Sequence, residues 1–132
     1  NKLALTREIP SSRHAMVNTI FRRCLDGRAF ANDPDVFFLR EDNLDYSVKQ
    51  KLLLAKLNDI MGSIIFMSDN AGDYDPKAAE YLKYFFKEKD YSVQMAEYET
   101  ADIIRIEYTE NGTAKTLRLN LADGNSNVME NL

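Results

Sequence analysis

The feature that most constrains this chain is a change of hydrophobic period near residue 90. Up to that point apolar residues recur three and four apart or run together; beyond it they alternate. The first pattern builds helices and buried parallel strands, the second an antiparallel sheet with one covered face. The chain therefore reads as an α/β segment over 1–88 followed by an antiparallel β segment over 89–132, with the break at 88–92.

The elements can be placed in order. Asn1 to Pro10 shows no period. Ser11 and Ser12 can cap a helix over about 13–25, in which Met16, Ile20 and Cys24 form one row and Val17, Phe21 and Leu25 the next. That wide apolar face suits a helix lying on a sheet, and Gly27 ends it. Cys24 on this face is expected to be buried and inert. Glu41 to Tyr46 reads as a connection. Ser47-Val48-Lys49-Gln50 matches a capping box opening a helix over 48–61, whose leucines spread widely enough to imply burial on more than one side. Ile64-Ile65-Phe66-Met67 is a continuous apolar run, the pattern of a fully buried parallel strand. Asp75-Pro76 caps a helix reaching about Phe86, with Leu82, Phe85 and Phe86 inward. Strands are expected over 92–97, 103–108 and 116–121, the last two joined by the Asn111-Gly112 turn. The tail from Asp123 is polar.

The segment with most chemical character is Gly27-Arg28-Ala29-Phe30-Ala31-Asn32-Asp33-Pro34-Asp35-Val36-Phe37-Phe38-Leu39-Arg40. Pro34 fixes its own φ and pushes Asp33 towards an extended conformation, so Asn32, Asp33 and Asp35 project from a stiff, strand-like backbone. The plain reading is a turn whose side chains bond nearby amides. The stronger one is the end of a strand over 29–31, where α/β enzymes hold their chemistry.

Taken in order, Arg13-His14-Ala15-Met16-Val17-Asn18, the Asn32-Asp33-Pro34-Asp35 run, the capped helix and Phe66-Met67-Ser68-Asp69 resemble the last part of the barrel in α-galactosidases of the melibiase type. The likeness reaches Tyr81, more than half the chain. It implies the last strands and helices of a (β/α)8 barrel followed by the start of a C-terminal antiparallel β domain. A closed barrel needs roughly 250 residues, so this chain would hold only a piece of one. The implied activity is a retaining hydrolase that removes terminal α-galactosyl residues from oligosaccharides, with two carboxyls about 5 Å apart across the sugar. In the family one of these follows a Lys-x-Asp pattern and the other lies on the strand before the first helix seen here. Neither motif is present, so the catalytic pair is expected upstream and this chain alone to be inactive. By the same resemblance Asp35 lines the galactose pocket, Asn32 and Asp33 brace the strand mouth, Arg28 is a structural or pocket-wall cation, and Ser68 and Asp69 form a rim. Two positions depart from the family: Ala29-Phe30 replaces a common Phe-Trp, and Val36 replaces a sulfur-bearing residue. Loss of the indole removes a stacking surface and a donor, which leaves the sugar preference open.

Composition narrows the remaining classes. A net charge of −4 gives no footprint for nucleic acid, and no run is long enough to span a bilayer. A single cysteine excludes an internal disulfide and fits a reducing, cytoplasmic setting. His14 is the one histidine and no ligand cluster accompanies it, so neither metal nor cofactor is expected. Expected partners are the galactoside substrate and the remainder of the barrel, and exposed strand edges would favour a homo-oligomer in the isolated chain. The rival reading is a non-catalytic α/β binding or assembly module.

Overall fold

The computed structural model describes residues 12–32, 34, 36–40 and 47–122. The expectations for Asn1 to Pro10, the Ser11 cap, Asp33, Asp35, Glu41 to Tyr46 and the tail from Asp123 lie outside them. The fold is mixed α/β, with three helices and an antiparallel three-stranded sheet among the described residues.

Helix α1 spans Ser12–Arg22 and tightens into a 3₁₀ turn over Arg23–Leu25. Ile20 is fully buried, with Met16 and Val17 packed beside it. The change from 3.6 to 3.0 residues per turn rotates the last residues off the apolar face. Leu25 is left 42% exposed, and Cys24, expected to be buried, is exposed instead.

The strand expected over 29–31 does not form. Gly27 takes a positive φ of 67°, and the amides of Arg28 and Ala29 both return to the Leu25 carbonyl, at 3.1 and 3.0 Å. Phe30 makes only an isolated bridge to Asp26. Local turn bonds thus satisfy the donors that a strand would have offered to a neighbour. The strand forms instead as β1 over Val36–Phe37, inside the Val36 to Leu39 run that the sequence makes apolar enough to continue as strand or to pack beneath the loop.

Helix α2 (Val48–Met61) opens with the capping box, the Ser47 hydroxyl accepting from the Gln50 amide at 3.2 Å and the Gln50 side chain accepting from the Ser47 amide at 2.8 Å. It is the central element. Leu53, Leu57, Ile60 and Met61 face one core, while Leu54 and Ala55 face a second. Gly62 follows it with an extended φ of −96°, not the left-handed cap a terminal glycine often supplies. Its need is steric: a Cβ there would lie 2.7 Å from Pro34 Cγ.

Strand β2 (Phe66–Met67) pairs parallel with β1, Val36 opposite Phe66 and Phe37 opposite Met67. Full burial of the Ile64–Met67 run does not hold. Ile65 and Met67 join Phe37 and Leu39 in the second core, against α2 and α3, whereas Ile64 and Phe66 are 39% and 49% exposed. Alternation along the strand sends them to the other face, which no described element covers. Helix α3 (Pro76–Phe85) begins at Asp75, whose carboxylate accepts from the Ala78 amide at 2.7 Å. Phe85 is buried, but Phe86, expected inward, is 55% exposed just past the helix end.

Strands β3 (Tyr91–Tyr98), β4 (Ile103–Glu110) and β5 (Thr113–Asn120) form the sheet in sequence order. Asn111 and Gly112 both take positive φ, 50° and 80°, the geometry of the type I′ turn that their sequence calls for. A bulge between Val93 and Met95 shifts the inward phase of β3, so that Tyr91 and Val93 and then Ala96 meet the core. Ile104, Ile106, Tyr108, Leu117, Leu119 and Leu121 supply the sheet's share of the first core, whose other members are Ile20 and the α2 residues.

Candidate functional site

A cleft of about 550 Å³ opens at the C-terminal ends of β1 and β2. Its floor comes from the chain leaving each strand, Leu39 and Arg40 after β1 and Ser68, Asp69 and Asn70 after β2. Its walls are the first turns of α2 and α3, which contribute Val48, Lys51 and Leu52 on one side and Lys77, Ala78 and Tyr81 on the other. Loops beyond the carboxyl ends of parallel strands are where such folds bind ligands, because strand ends converge there and helix N-termini point inward.

Asp69 organises this end. Its side chain is only 1% exposed. It accepts from the Leu39 amide, from the Arg40 amide at 3.1 Å, from Arg40 Nη1 at 2.6 Å and from the Tyr74 hydroxyl. Burial alone would raise this carboxyl, but the bonds from Tyr74, the two amides and Arg40 prevail and hold it below the usual carboxylate range. The same contact acts on Tyr74 in reverse: burial, then the Asp69 charge, push its phenol well above its usual range. One buried carboxylate therefore ties the β1 exit to the segment that leads into α3.

The cation it holds faces the cleft. The Arg40 side chain is 35% exposed, its Nη1 also reaches the Ser68 carbonyl at 3.2 Å and hydroxyl at 3.4 Å, and its guanidinium lies 5.7 Å from the Phe38 ring centroid. Lys51 is buried and donates to the Arg40 carbonyl at 2.5 Å. Asn70 caps a 3₁₀ turn over Ala71–Asp73 and donates to Asp73 at 2.9 Å. With the partly buried rings of Tyr74 and Tyr81, the cleft offers aromatic surface, the cations of Arg40, Lys51 and Lys77, the carboxylates of Asp73 and Asp75, and the neutral groups of Ser68 and Asn70. That set can bind and orient a small polar molecule. Among the described residues three carboxylates line it, each already engaged: Asp69 by its four donors, Asp73 by Asn70 Nδ2 and Asp75 by the Ala78 amide.

The other residues singled out from the sequence lie elsewhere. Asn32 is buried at the entry to β1, the end opposite Asp69. Its Nδ2 donates to the Met61 carbonyl at 2.7 Å and to the Thr19 carbonyl at 3.4 Å, and its own carbonyl accepts from the Ser63 amide at 3.0 Å. Asp26 completes this knot, accepting from the Asn32 amide at 2.7 Å and the Ser63 hydroxyl at 2.5 Å, and those two bonds lower its carboxyl. Arg28 is exposed in the turn after Gly27. A second concavity of about 420 Å³, lined by Asn18, Arg22, Phe30, Asn32 and Pro34 among others, lies on this side. Asp33 and Asp35 lie outside the described residues. So Ser68 and Asp69 share the cleft, with Asp69 drawn beneath the rim, while Arg28 and Asn32 do not reach it.

Arg40, Lys51, Tyr74 and Tyr81 were not anticipated. The position of Arg40, directly after an apolar strand run, was the available signal. Among the described residues no group of three or more His, Cys, Asp or Glu is arranged to hold a metal ion, and no helix is long and apolar enough to cross a membrane. No protein-family model matches the chain.

Proposed function

We propose that this chain is the C-terminal part of a cytoplasmic retaining α-galactosidase, contributing the last strands and helices of its (β/α)8 barrel and the start of a C-terminal β domain. The observation that carries the reading is the β1-α2-β2-α3 order with parallel register and a polar cleft at the strands' C-terminal ends. The exposed Ile64 and Phe66 support it, since an apolar outer face is what such strands present when their neighbours lie elsewhere. In this reading the substrate is a terminal α-galactoside, Asp35 lines its pocket, and Arg28, Asn32, Asp33, Ser68 and Asp69 support the mouth. The two catalytic aspartates come from the remainder of the barrel, and the chain alone hydrolyses nothing. The test is Asp35→Asn in the complete enzyme, which should lower kcat markedly without changing thermal stability. Unchanged kinetics would remove Asp35 from the site.

A non-catalytic α/β binding or assembly module is the second reading, and one observation favours it. Helices and sheet share a continuous core that runs from Ile20 to Leu121, as in a self-standing domain. The two separate in solution. A barrel piece associates or binds a hydrophobic dye, whereas a module is a monodisperse monomer that unfolds cooperatively.

A further inference from the structure

A buried ionic network lies away from the cleft, where α2, the α3–β3 junction and the sheet meet. Lys56 on α2 is 2% exposed and donates to Tyr84 and Tyr91, each at 2.9 Å, with Glu110 of β4 at 3.4 Å. The Tyr84 hydroxyl donates to Glu110 at 3.1 Å, and the Tyr91 hydroxyl is shared between Asp59 at 2.7 Å and Glu110 at 3.2 Å. Lys115 of β5 bonds the second Glu110 oxygen. Among the described residues Asp59 has a single close cation, Lys89, at 3.1 Å. That lysine also donates to the carbonyls of Tyr84 at 2.5 Å, Lys87 at 3.0 Å and Phe85 at 3.5 Å, and lies 4.5 Å from the Tyr84 ring centroid. Lys89 thus both ends α3 and ties the junction to α2.

The two carboxylates differ in support. Glu110 bonds Lys56, Lys115, Tyr84 and Tyr91 and lies less closely to Tyr108, whereas Asp59 bonds only Tyr91 and Lys89 among the described residues and lies less closely to Lys56, Tyr84 and Tyr108. Both are nearly as buried, at 8% and 6% side-chain exposure. With similar side-chain exposure and fewer direct bonds, Asp59 takes up a proton first as pH falls.

We propose that Asp59 and Lys89 form an acid-released strap: proton uptake from solvent at Asp59 removes the counter-charge of Lys89 and loosens the α3–β3 junction, while Glu110 still holds the sheet to α2. Titration directions agree with the geometry. Burial pushes Asp59 above its usual 3.8, and its bonds to Tyr91 and Lys89 only partly oppose this. For Glu110 burial also raises the carboxyl, but the Lys115 bond, the Lys56 charge and the Tyr84 bond bring it down to about 2. The sign at Asp59 matters. A folded-state value above the unfolded one means that protonation favours the folded chain over the unfolded one. Because Asp59 stays buried on α2 when Lys89 leaves, loss of that counter-charge raises its carboxyl further, and proton uptake favours the released strap.

The experiment is amide hydrogen exchange on the whole chain, corrected for intrinsic rates. It compares Phe86, Lys87 and Asp90 at the junction with Ile104 and Ile106 in the core. Protection at the junction should fall roughly tenfold between neutral pH and the ordinary aspartate range, the worth of one charge-assisted hydrogen bond, with the core unchanged. Asp59→Asn should show the low junction value already at neutral pH and no step. If that variant fails to fold, Lys89→Met carries the same expectation. A junction that keeps its protection across the range, a step that persists in either variant, or a parallel loss in the core would overturn the strap.

Discussion

Replacing Asn32 by alanine tests how the entry to β1 is held. The Asn32 side chain is almost fully buried and gives one amide proton to the Met61 carbonyl at 2.7 Å and the other to the Thr19 carbonyl at 3.4 Å. Met61 is the last residue of α2, so its carbonyl has no partner within the helix and depends on this bond. Truncation strands that acceptor where water has little access, at a cost of roughly 1–3 kcal/mol. The weaker Thr19 bond and the small void add to it, giving about 2–3 kcal/mol in all. The backbone bonds to Asp26 and Ser63 remain. Asn32→Asp should be worse, because it sets a carboxylate against two carbonyl oxygens. Urea unfolding followed by far-UV circular dichroism should show a lower midpoint with an unchanged slope. A loss below about 0.5 kcal/mol, the usual range for surface changes, would mean that the Asn32 bonds do not hold the two helix ends.

Three further outcomes follow from single contacts. Gly62→Ala should destabilise by about 1–3 kcal/mol because its Cβ would strike Pro34 and the Asn58 carbonyl, and a neutral effect in thermal unfolding would refute that close approach. Glu110→Gln leaves Lys56 buried without its nearest counter-charge and should cost about 3 kcal/mol at neutral pH. Glu110 goes from 4.5 unfolded to about 2 folded, so its stabilisation is complete above 4.5 and fades as pH falls towards 2. The gap between wild type and variant in denaturant titrations should close over that window, and a constant gap would contradict it. Asp69→Asn should bring the Tyr74 phenol down towards its usual 10.0 in an alkaline ultraviolet titration, an unmoved transition showing that burial alone sets it.

What was legible in the sequence was mostly local. Ser47 and Gln50, Asp75 with Pro76, and Asn111 with Gly112 each specify a cap or turn through their nearest neighbours, and each forms. Residues whose roles depend on tertiary contact were less legible. Ala29 to Ala31 looked like a strand because nothing nearby reveals that Gly27 folds the chain back onto Leu25. Cys24 kept its place on a helical wheel only as long as the helix kept 3.6 residues per turn. Lys56 carries no local signal of its role, since Tyr91, Tyr108 and Glu110, which bury it, come from residues far along the chain. Asp69 was visible as a polar residue at a strand end, but its four donors come from two separate loops.

In the proposed function the cleft above β1 and β2 belongs to a retaining α-galactosidase. The most direct measurement is proton NMR of the anomeric signal while the product of the complete reading frame acts on an aryl α-galactoside. α-Galactose should appear first and mutarotate afterwards. β-Galactose as the first product, or no hydrolysis at all, would contradict it.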